Sequence, residues 1–168
     1  MGAAPLVFSH AEPEDAGEIA ALRTAVAERL TRDFGQGHWS ATASERGVLQ
    51  SLRNSRVLVA RSNSGLVATL RLATRKPWAI DQSYFADAAR PLYLSDMAVA
   101  PDHQRTGVGR RCLAEATLIA RAWPADAIRL DAYDAPAGAG EFYAKCGYRE
   151  VARVSYRKTP LIYFELRL

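Results

Sequence analysis

The spacing of apolar residues divides the chain into short strands and amphipathic helices. Apolar residues recurring three or four positions apart predict helices that open at residues 12–15 and at Ser44, and further helices over residues 110–123 and 140–146. Ser44 suits the N-cap of its helix, and Gly147 suits the C-terminal cap of the last one. Apolar-rich runs predict strands over residues 6–9, 57–60, 66–72, 92–99, 128–133, 151–157 and 161–168.

These elements predict a single α/β domain over residues 1–168. Turn residues at 62–65 would join two strands as a hairpin, and Thr159-Pro160 would join the last two. Hairpins give antiparallel neighbours and helical crossovers give parallel ones, so we expect a mixed sheet flanked by helices. The 168 residues are enough for one domain with a sizeable core.

Composition and charge narrow the class of protein. With 49% hydrophobic and 24% charged residues, the chain has the composition of a globular domain. Its net charge of +4 favours an anionic ligand, whereas the lack of any block of like charges makes nucleic-acid binding a minor alternative. No apolar run reaches membrane-spanning length, and the N-terminus lacks the pattern of a signal peptide. We therefore expect a cytoplasmic protein.

Cysteine and histidine indicate no metal site. Cys112 and Cys146 both fall in predicted helices without metal-ligand spacing, which favours reduced thiols. His10, His38 and His103 also lack paired ligand spacing. We therefore expect a protein without a bound metal.

The segment Gln104-Arg105-Thr106-Gly107-Val108-Gly109 carries the strongest chemical signal. It joins the strand at 92–99 to the helix at 110–123, and its two glycines suit a tight turn close to a ligand. The first turn of a helix presents unpaired N–H groups and the positive end of the helix dipole. This arrangement predicts a phosphate-binding site.

Two common phosphate-binding loops do not fit this segment. A P-loop requires Lys-Ser or Lys-Thr after the last glycine, where this chain has Arg110-Arg111. A dinucleotide-binding loop requires a third glycine at the position of Cys112.

Two motifs together resemble the GNAT family of N-acetyltransferases. The first is Met97-Ala98-Val99-x-Pro101 followed by Gln104-x-x-Gly107-x-Gly109, which is similar to motif A of that family. The second is Phe142-Tyr143-Ala144-Lys145-Cys146-Gly147-Tyr148, which resembles the family's Phe-Tyr-x-Lys-x-Gly-Phe segment. The order of predicted elements also matches over nearly the whole chain.

The resemblance implies a fold and a donor. The fold would be a single-domain, mostly antiparallel mixed sheet whose two central strands, 92–99 and 128–133, splay apart. The donor would be acetyl-CoA or another acyl-CoA, with an amine as acceptor. Its pantetheine arm would pair with the backbone of Met97, Ala98 and Val99 like an added strand. Its pyrophosphate would lie on the loop and helix start formed by Gln104, Arg105, Thr106, Gly107, Val108, Gly109 and Arg110.

The resemblance also implies catalytic roles. Tyr143 matches the family tyrosine that protonates the departing thiolate as a general acid. A base is needed because an amine of pKa about 10.4 is almost wholly protonated at neutral pH. Asp96 is the candidate base, turned inward by a bulge in its strand. Asp131 and Asp134, on the following strand and its loop, are weaker candidates.

One position departs from the family pattern. Many members carry an asparagine after the strand at 128–133 that bonds the pantetheine. Pro136 holds that position here and has no backbone N–H to donate.

Aromatic residues outside the motifs suggest the wall of an acceptor pocket. Phe34, Trp39 and Tyr84 fall in two irregular segments that also contain His38, Trp78 and Phe85. Small amines, amino acids, aminoglycoside-like drugs and protein amino groups all remain open as acceptors. A non-catalytic acyl-CoA-binding or sensing domain is the alternative function. The resemblance allows a homodimer formed through the last strand, 161–168.

Overall fold

The computed structural model describes residues 5–168 of the chain. Its strands are β1 Val7–His10, β2 Arg56–Ser62, β3 Gly65–Ala73, β4 Pro91–Val99, β5 Ala127–Tyr133, β6 Arg149–Tyr156 and β7 Thr159–Arg167. Its α-helices are α1 Ala16–Phe34, α2 Glu45–Asn54, α3 Val108–Ala122 and α4 Gly140–Lys145. Each helix and strand predicted from the sequence is confirmed, with bounds that differ by a few residues. Among these helices, none is both long and apolar enough to cross a membrane.

The strands are hydrogen-bonded in the order β1-β2-β3-β4-β5-β7-β6. The β4–β5 pair is parallel, whereas β1–β2, β2–β3, β5–β7 and β6–β7 are antiparallel. The expected mixed and mostly antiparallel sheet is therefore confirmed. Pro91–Tyr93 of β4 pair with Ala127–Arg129 of β5.

The chain divides into two compact units. The N-terminal unit contains the residues up to Leu72 and Asp96–Ala116, and the C-terminal unit contains Ala73–Ser95 and Thr117–Leu168. The expectation of a single domain over residues 1–168 stays a prediction.

The core of the N-terminal unit forms where α1 and α2 pack on β2. Its buried members are Ala16, Ile19, Ala20, Val48, Val57 and Val59. Ser44 caps α2 as predicted, because its Oγ accepts a hydrogen bond from the backbone N–H of Gly47 at 3.1 Å.

A buried ion pair organises the C-terminal unit. Arg129 on β5 lies opposite Glu165 on β7, both are only 3% exposed, and Nε donates to Oε2 at 2.8 Å. The same guanidinium donates to the backbone carbonyl of Ala86 at 2.7 Å and lies over the ring of Phe85. Arg129 thereby ties the irregular segment between β3 and β4 to the sheet.

The turn between β6 and β7 corrects a prediction. Thr159-Pro160 does not form this turn; Tyr156 pairs with Thr159, and the turn residues are Arg157 and Lys158, at φ 48° and 68°. Thr-Pro is a local turn signal, but Pro160 lies near the start of β7, where a missing N–H is tolerated. The carbonyl of Pro160 accepts the N–H of Asp134 at 3.0 Å.

The same strand pair corrects the expected dimer edge. β7 is paired with β5 on one side and β6 on the other, so residues 161–168 present no free strand edge. β6 is the strand at the end of the sheet order.

Candidate active site

The predicted phosphate-binding loop follows β4 in the N-terminal unit. A short 3-10 turn, Pro101–His103, comes first, and α3 begins at Val108. The Gln104 side chain donates to the carbonyl of Val99 at 3.0 Å, and the Thr106 hydroxyl donates to the carbonyl of His103. Both bonds are made by polar side chains of the loop. The turn itself is formed by the backbone.

Left-handed backbone at two residues shapes this loop. Arg105 has φ 60° and Gly107 has φ 90°, a region that glycine enters without a steric penalty. The backbone N–H of Arg111 bonds the carbonyl of Gly107 at 3.1 Å and starts the helical ladder. The N–H groups before it belong to the first turn, which has no helical acceptors. A Cβ placed on Gly107 would meet no heavy atom within 4 Å, so the turn is open on that side.

Asp96 bends β4 and serves as a counter-ion. Its φ of 53° is left-handed, which agrees with the predicted irregularity in the strand. Its carboxylate accepts a hydrogen bond from Arg23 at 3.0 Å and lies 3.7 Å from Arg71. Arg71 also donates to Ser55 Oγ at 2.8 Å and to Asn54 Oδ1 at 3.1 Å. No local pattern predicts the contact between Arg23 and Asp96, because the two residues lie 73 positions apart in the chain.

Tyr143 lies in the C-terminal unit, on α4. Its side chain is buried against aromatic rings, with centroids at 5.3 Å for Phe142, 5.8 Å for Tyr148 and 6.1 Å for Phe164. Burial strongly raises the pKa of the Tyr143 phenol, and the charge of Asp131 raises it further. The hydroxyl is therefore protonated at neutral pH and can act as a donor.

Tyr148 adds a second buried hydroxyl beside it. It occupies the position where the resembled motif has phenylalanine, and it is 3% exposed. Its hydroxyl has no hydrogen-bond partner among the described residues. Burial is the first cause that raises the pKa of Tyr148. Gly147, at φ 93°, precedes it and ends α4 as predicted.

Asp131 differs from Asp96 in its surroundings. It lies half-buried on β5, and burial raises the pKa of its carboxyl group. Its carboxylate makes no hydrogen bond or ion pair within residues 5–168. Asp134, the other weaker candidate, lies 3.4 Å from the guanidinium of Arg153.

The predicted acceptor residues are distributed over both units. In the N-terminal unit, Phe34 ends α1 and is 47% exposed, while the Trp39 indole donates to the carbonyl of Gly35 at 2.9 Å. In the C-terminal unit, Tyr84 is 51% exposed and contacts Tyr163 edge-on at 5.8 Å. Their part in acceptor binding stays a prediction.

The cysteines and possible metal ligands add no further chemistry. Neither Cys112 nor Cys146 forms a disulfide within residues 5–168, and burial raises the pKa of Cys112 to about 11, which makes it a poor nucleophile. Over the described part of the chain, no group of three or more His, Cys, Asp or Glu side chains could hold a metal ion.

Solved structures of similar fold are known. YncA from Salmonella typhimurium, solved with its cofactor acetyl-CoA, is 18% identical with a TM-score of 0.70, over 97% of this chain and 94% of that one. A ribosomal-protein-alanine N-acetyltransferase from Brucella melitensis is 18% identical with a TM-score of 0.73, over 96% and 99%. An N-acetyltransferase from Staphylococcus aureus is 14% identical with a TM-score of 0.71, over 97% and 98%.

Sequence comparison supplies the family. No curated protein matched the chain significantly. The family model for the acetyltransferase (GNAT) domain matches residues 53–150, which is more than half of the chain and includes both motifs. N-acetyltransferase is the enzyme class that follows from this match. The chain therefore belongs to the GNAT acetyltransferase family.

Proposed function

We propose that this protein transfers an acetyl group from acetyl-CoA directly to a primary amine of a small molecule or peptide. The observation that carries the proposal is the loop of Gln104 to Gly109 at the start of α3, inside the matched GNAT domain. Its left-handed turn, its first-turn N–H groups and the space beside Gly107 fit a pyrophosphate. Acetyl-CoA supplies the acetyl group as a thioester.

The donor-binding residues follow from this fit. The backbone N–H groups of residues 105–110 would hold the pyrophosphate, and Arg105 and Arg110 would add charge-assisted bonds. Arg111 is a weaker candidate for phosphate, because its guanidinium lies over the ring of Phe8 at 5.8 Å. The backbone of Met97, Ala98 and Val99 would pair with the pantetheine amides, because such amides can extend a strand like an added partner.

Tyr143 is the proposed general acid. Its hydroxyl would give its proton to the sulfur that leaves the acetyl group. The burial that raises its pKa keeps the phenol protonated until that step.

The acceptor side is less constrained. Phe34, Trp39 and Tyr84 are proposed as acceptor-binding residues because aromatic rings favour apolar or cationic amines. Phe34 and Tyr84 are exposed, and Trp39 is half-buried. Asp96 remains the general base that the sequence suggests. The guanidinium groups of Arg23 and Arg71 lie beside its carboxylate.

Thiol release with a panel of amines tests this function. We expect wild-type protein to release free CoA with at least one amine. Tyr143→Phe should lower turnover about 100-fold or more while acetyl-CoA still raises the melting temperature. Binding of acetyl-CoA without thiol release from any amine would instead support the acyl-CoA-sensing alternative. Steeply salt-dependent binding to DNA or RNA would support the nucleic-acid alternative.

A further inference from the structure

A small pocket of the N-terminal unit is lined by residues of α1, α2 and the strands β2, β3 and β4. Its apolar lining includes Ile19 and Val48, each only 2% exposed. Its charged lining consists of Arg23 from α1, Arg71 from β3 and Asp96 from β4, whose side chains are partly exposed. The pocket therefore combines a buried apolar wall with charged groups that a ligand can reach from solvent.

The charges in this lining do not balance. Among the described residues that line the pocket, Asp96 is the only carboxylate, and it faces two guanidinium groups. Arg23 Nη2 donates to Asp96 Oδ1 at 3.0 Å. Arg71 Nη1 lies 3.7 Å from Asp96 Oδ2, which is beyond hydrogen-bond distance. One positive charge is thus left without a counter-ion in the lining.

Both guanidinium groups keep donors that have no acceptor within residues 5–168. Arg23 makes no hydrogen bond or ion pair besides the one to Asp96, so its Nε and Nη1 are available. Arg71 donates through Nε to Ser55 Oγ at 2.8 Å and through Nη2 to Asn54 Oδ1 at 3.1 Å, so its Nη1 is available. The pocket therefore offers N–H donors from two separate arginines.

A carboxylate is the anion that suits these donors. It is planar, accepts parallel N–H bonds from a guanidinium group and supplies the missing negative charge. The pocket has a volume of about 10 Å³, which is the space of about one water-sized group. Such a space admits a carboxylate oxygen more easily than a bulkier phosphate group.

The pocket also lies towards the thioester end of the proposed donor site. Asp96 directly precedes residues 97–99, which are proposed to pair with pantetheine, and the proposed pyrophosphate loop follows them in the chain. In acetyl-CoA, the pantetheine arm separates the pyrophosphate from the thioester. A donor that lies along β4 in this order would have its thioester end nearest Asp96. All of these residues belong to the N-terminal unit.

We propose that the acceptor is an amino acid whose carboxylate binds Arg23 and Arg71. The assignment rests on the acetyl transfer proposed above and names the acceptor of that reaction. The ammonium group of the amino acid loses two protons as the C–N bond forms and the C–S bond breaks. The sulfur gains one proton and solvent gains the other, so the products are an N-acetyl amino acid and CoA.

Matched pairs of amino acids and their amides test this assignment. The amide keeps the amine and the side chain of its amino acid and lacks the negative charge. With acetyl-CoA and wild-type protein, kcat/KM for the productive amino acid should exceed that for its amide by about 10-fold or more. The amine of the amide is the less basic of the two, so amine protonation works against the expected preference.

Arg23→Gln should remove this preference. The variant should raise KM for the amino acid about 10-fold or more and leave kcat/KM for the amide within about twofold of the wild type. Arg29→Gln is the matched control, because Arg29 also lies on α1 and donates to Asp33 at 2.9 Å but does not line the pocket. It should keep the preference of the wild type. Acetyl-CoA should still raise the melting temperature of both variants.

Each contrary result has a distinct meaning. A wild type that prefers amides, peptides or other amines without a carboxylate overturns the amino-acid assignment and leaves acetyl transfer standing. Equal losses with the acid and the amide in Arg23→Gln also overturn it, because the role of Arg23 would then be structural. A wild type that binds acetyl-CoA and acetylates no amine overturns the proposed function and this acceptor together.

Discussion

Single residues decide how the two candidate bases behave. Asp96 and Asp131 are both carboxylates on central strands, and the sequence favoured Asp96 by its position before motif A. The structure surrounds Asp96 with cations and leaves Asp131 without a donor among the described residues. Identical side chains thus acquire different chemistry from neighbours that are distant in sequence.

Replacement of Asp96 by asparagine should affect stability more than chemistry. Asparagine tolerates the left-handed backbone at this position, so the change removes only the charge. The side chains of Arg23, Asp96 and Arg71 are 29%, 32% and 26% exposed. We therefore expect a loss of about 1 kcal/mol in the free energy of unfolding, measured with urea.

Asp33→Asn provides the matched control for that measurement. It removes a more exposed ion pair with Arg29 on α1 and should cost about 0.3–0.5 kcal/mol. Unchanged stability in Asp96→Asn, together with lost thiol release, would make Asp96 the base and contradict its role as a counter-ion.

The raised pKa of Asp131 has a defined effect on stability. Because the folded state holds this proton more tightly than the unfolded state, Asp131 contributes stability below its unfolded pKa. That contribution is lost as pH rises through the folded pKa. The unfolding free energy of the wild type should therefore fall relative to Asp131→Asn between acidic and neutral pH.

Asp126 should show the opposite dependence. Burial raises the pKa of the Asp126 carboxyl group. The backbone N–H groups of Arg90 and Ala89 lower it, and the net result is a lowered pKa. The wild type should gain stability relative to Asp126→Asn as pH rises from the folded pKa to the unfolded pKa of Asp126. Urea unfolding at several pH values measures both slopes, and equal slopes for the two variants would contradict the difference in their environments.

Among the structural elements, the β6–β7 hairpin has strained turn residues. Arg157 and Lys158 both adopt left-handed backbone, which costs a side-chain-bearing residue energy that glycine avoids. Lys158→Gly should raise the free energy of unfolding by about 0.5–1 kcal/mol. Lys158→Val should lower it, and a valine variant as stable as the glycine variant would show that the position is unstrained.

The Arg129–Glu165 pair links three elements and should be sensitive to loss of one partner. Glu165 also accepts a bond from Arg167 at 2.9 Å, so its carboxylate holds two guanidinium groups. Glu165→Gln leaves Arg129 buried without its counter-charge and should cost about 3–5 kcal/mol in urea unfolding.

A double replacement separates the pair from the packing around it. Arg129→Met combined with Glu165→Leu removes both buried charges and should recover much of that loss. A double variant less stable than Glu165→Gln alone would mean that the hydrogen bond from Arg129 to Ala86 dominates instead.

At the scale of the whole molecule, the sequence predicted what depends on local patterns. Helix and strand positions followed from apolar spacing, and the loop at 104–109 followed from glycines next to a helix start. The Thr159-Pro160 turn was wrong because a local signal was overridden by the pairing of Tyr156 with Thr159. The position of β7 between β5 and β6 in the sheet also depends on pairing with other strands and not on the local sequence.

Long-range contacts explain what the sequence could not supply. Arg129 looked like one polar residue in an alternating strand, and only the register with Glu165 shows that it is buried. The pairing of Arg23 with Asp96 and the lack of a partner at Asp131 likewise depend on folding. The proposed donor-binding loop could therefore be predicted from the sequence, whereas identifying the base and the acceptor site requires tertiary structure.

Transfer of a labelled acetyl group tests the central claim most directly. Wild-type protein would be incubated with ¹³C-acetyl-CoA and an amine panel, and products would be identified by mass spectrometry beside Tyr143→Phe. We predict a labelled amide on at least one amine with the wild type and strongly reduced labelling with Tyr143→Phe. Acetyl-CoA that binds the wild type while every amine stays unlabelled would contradict the account.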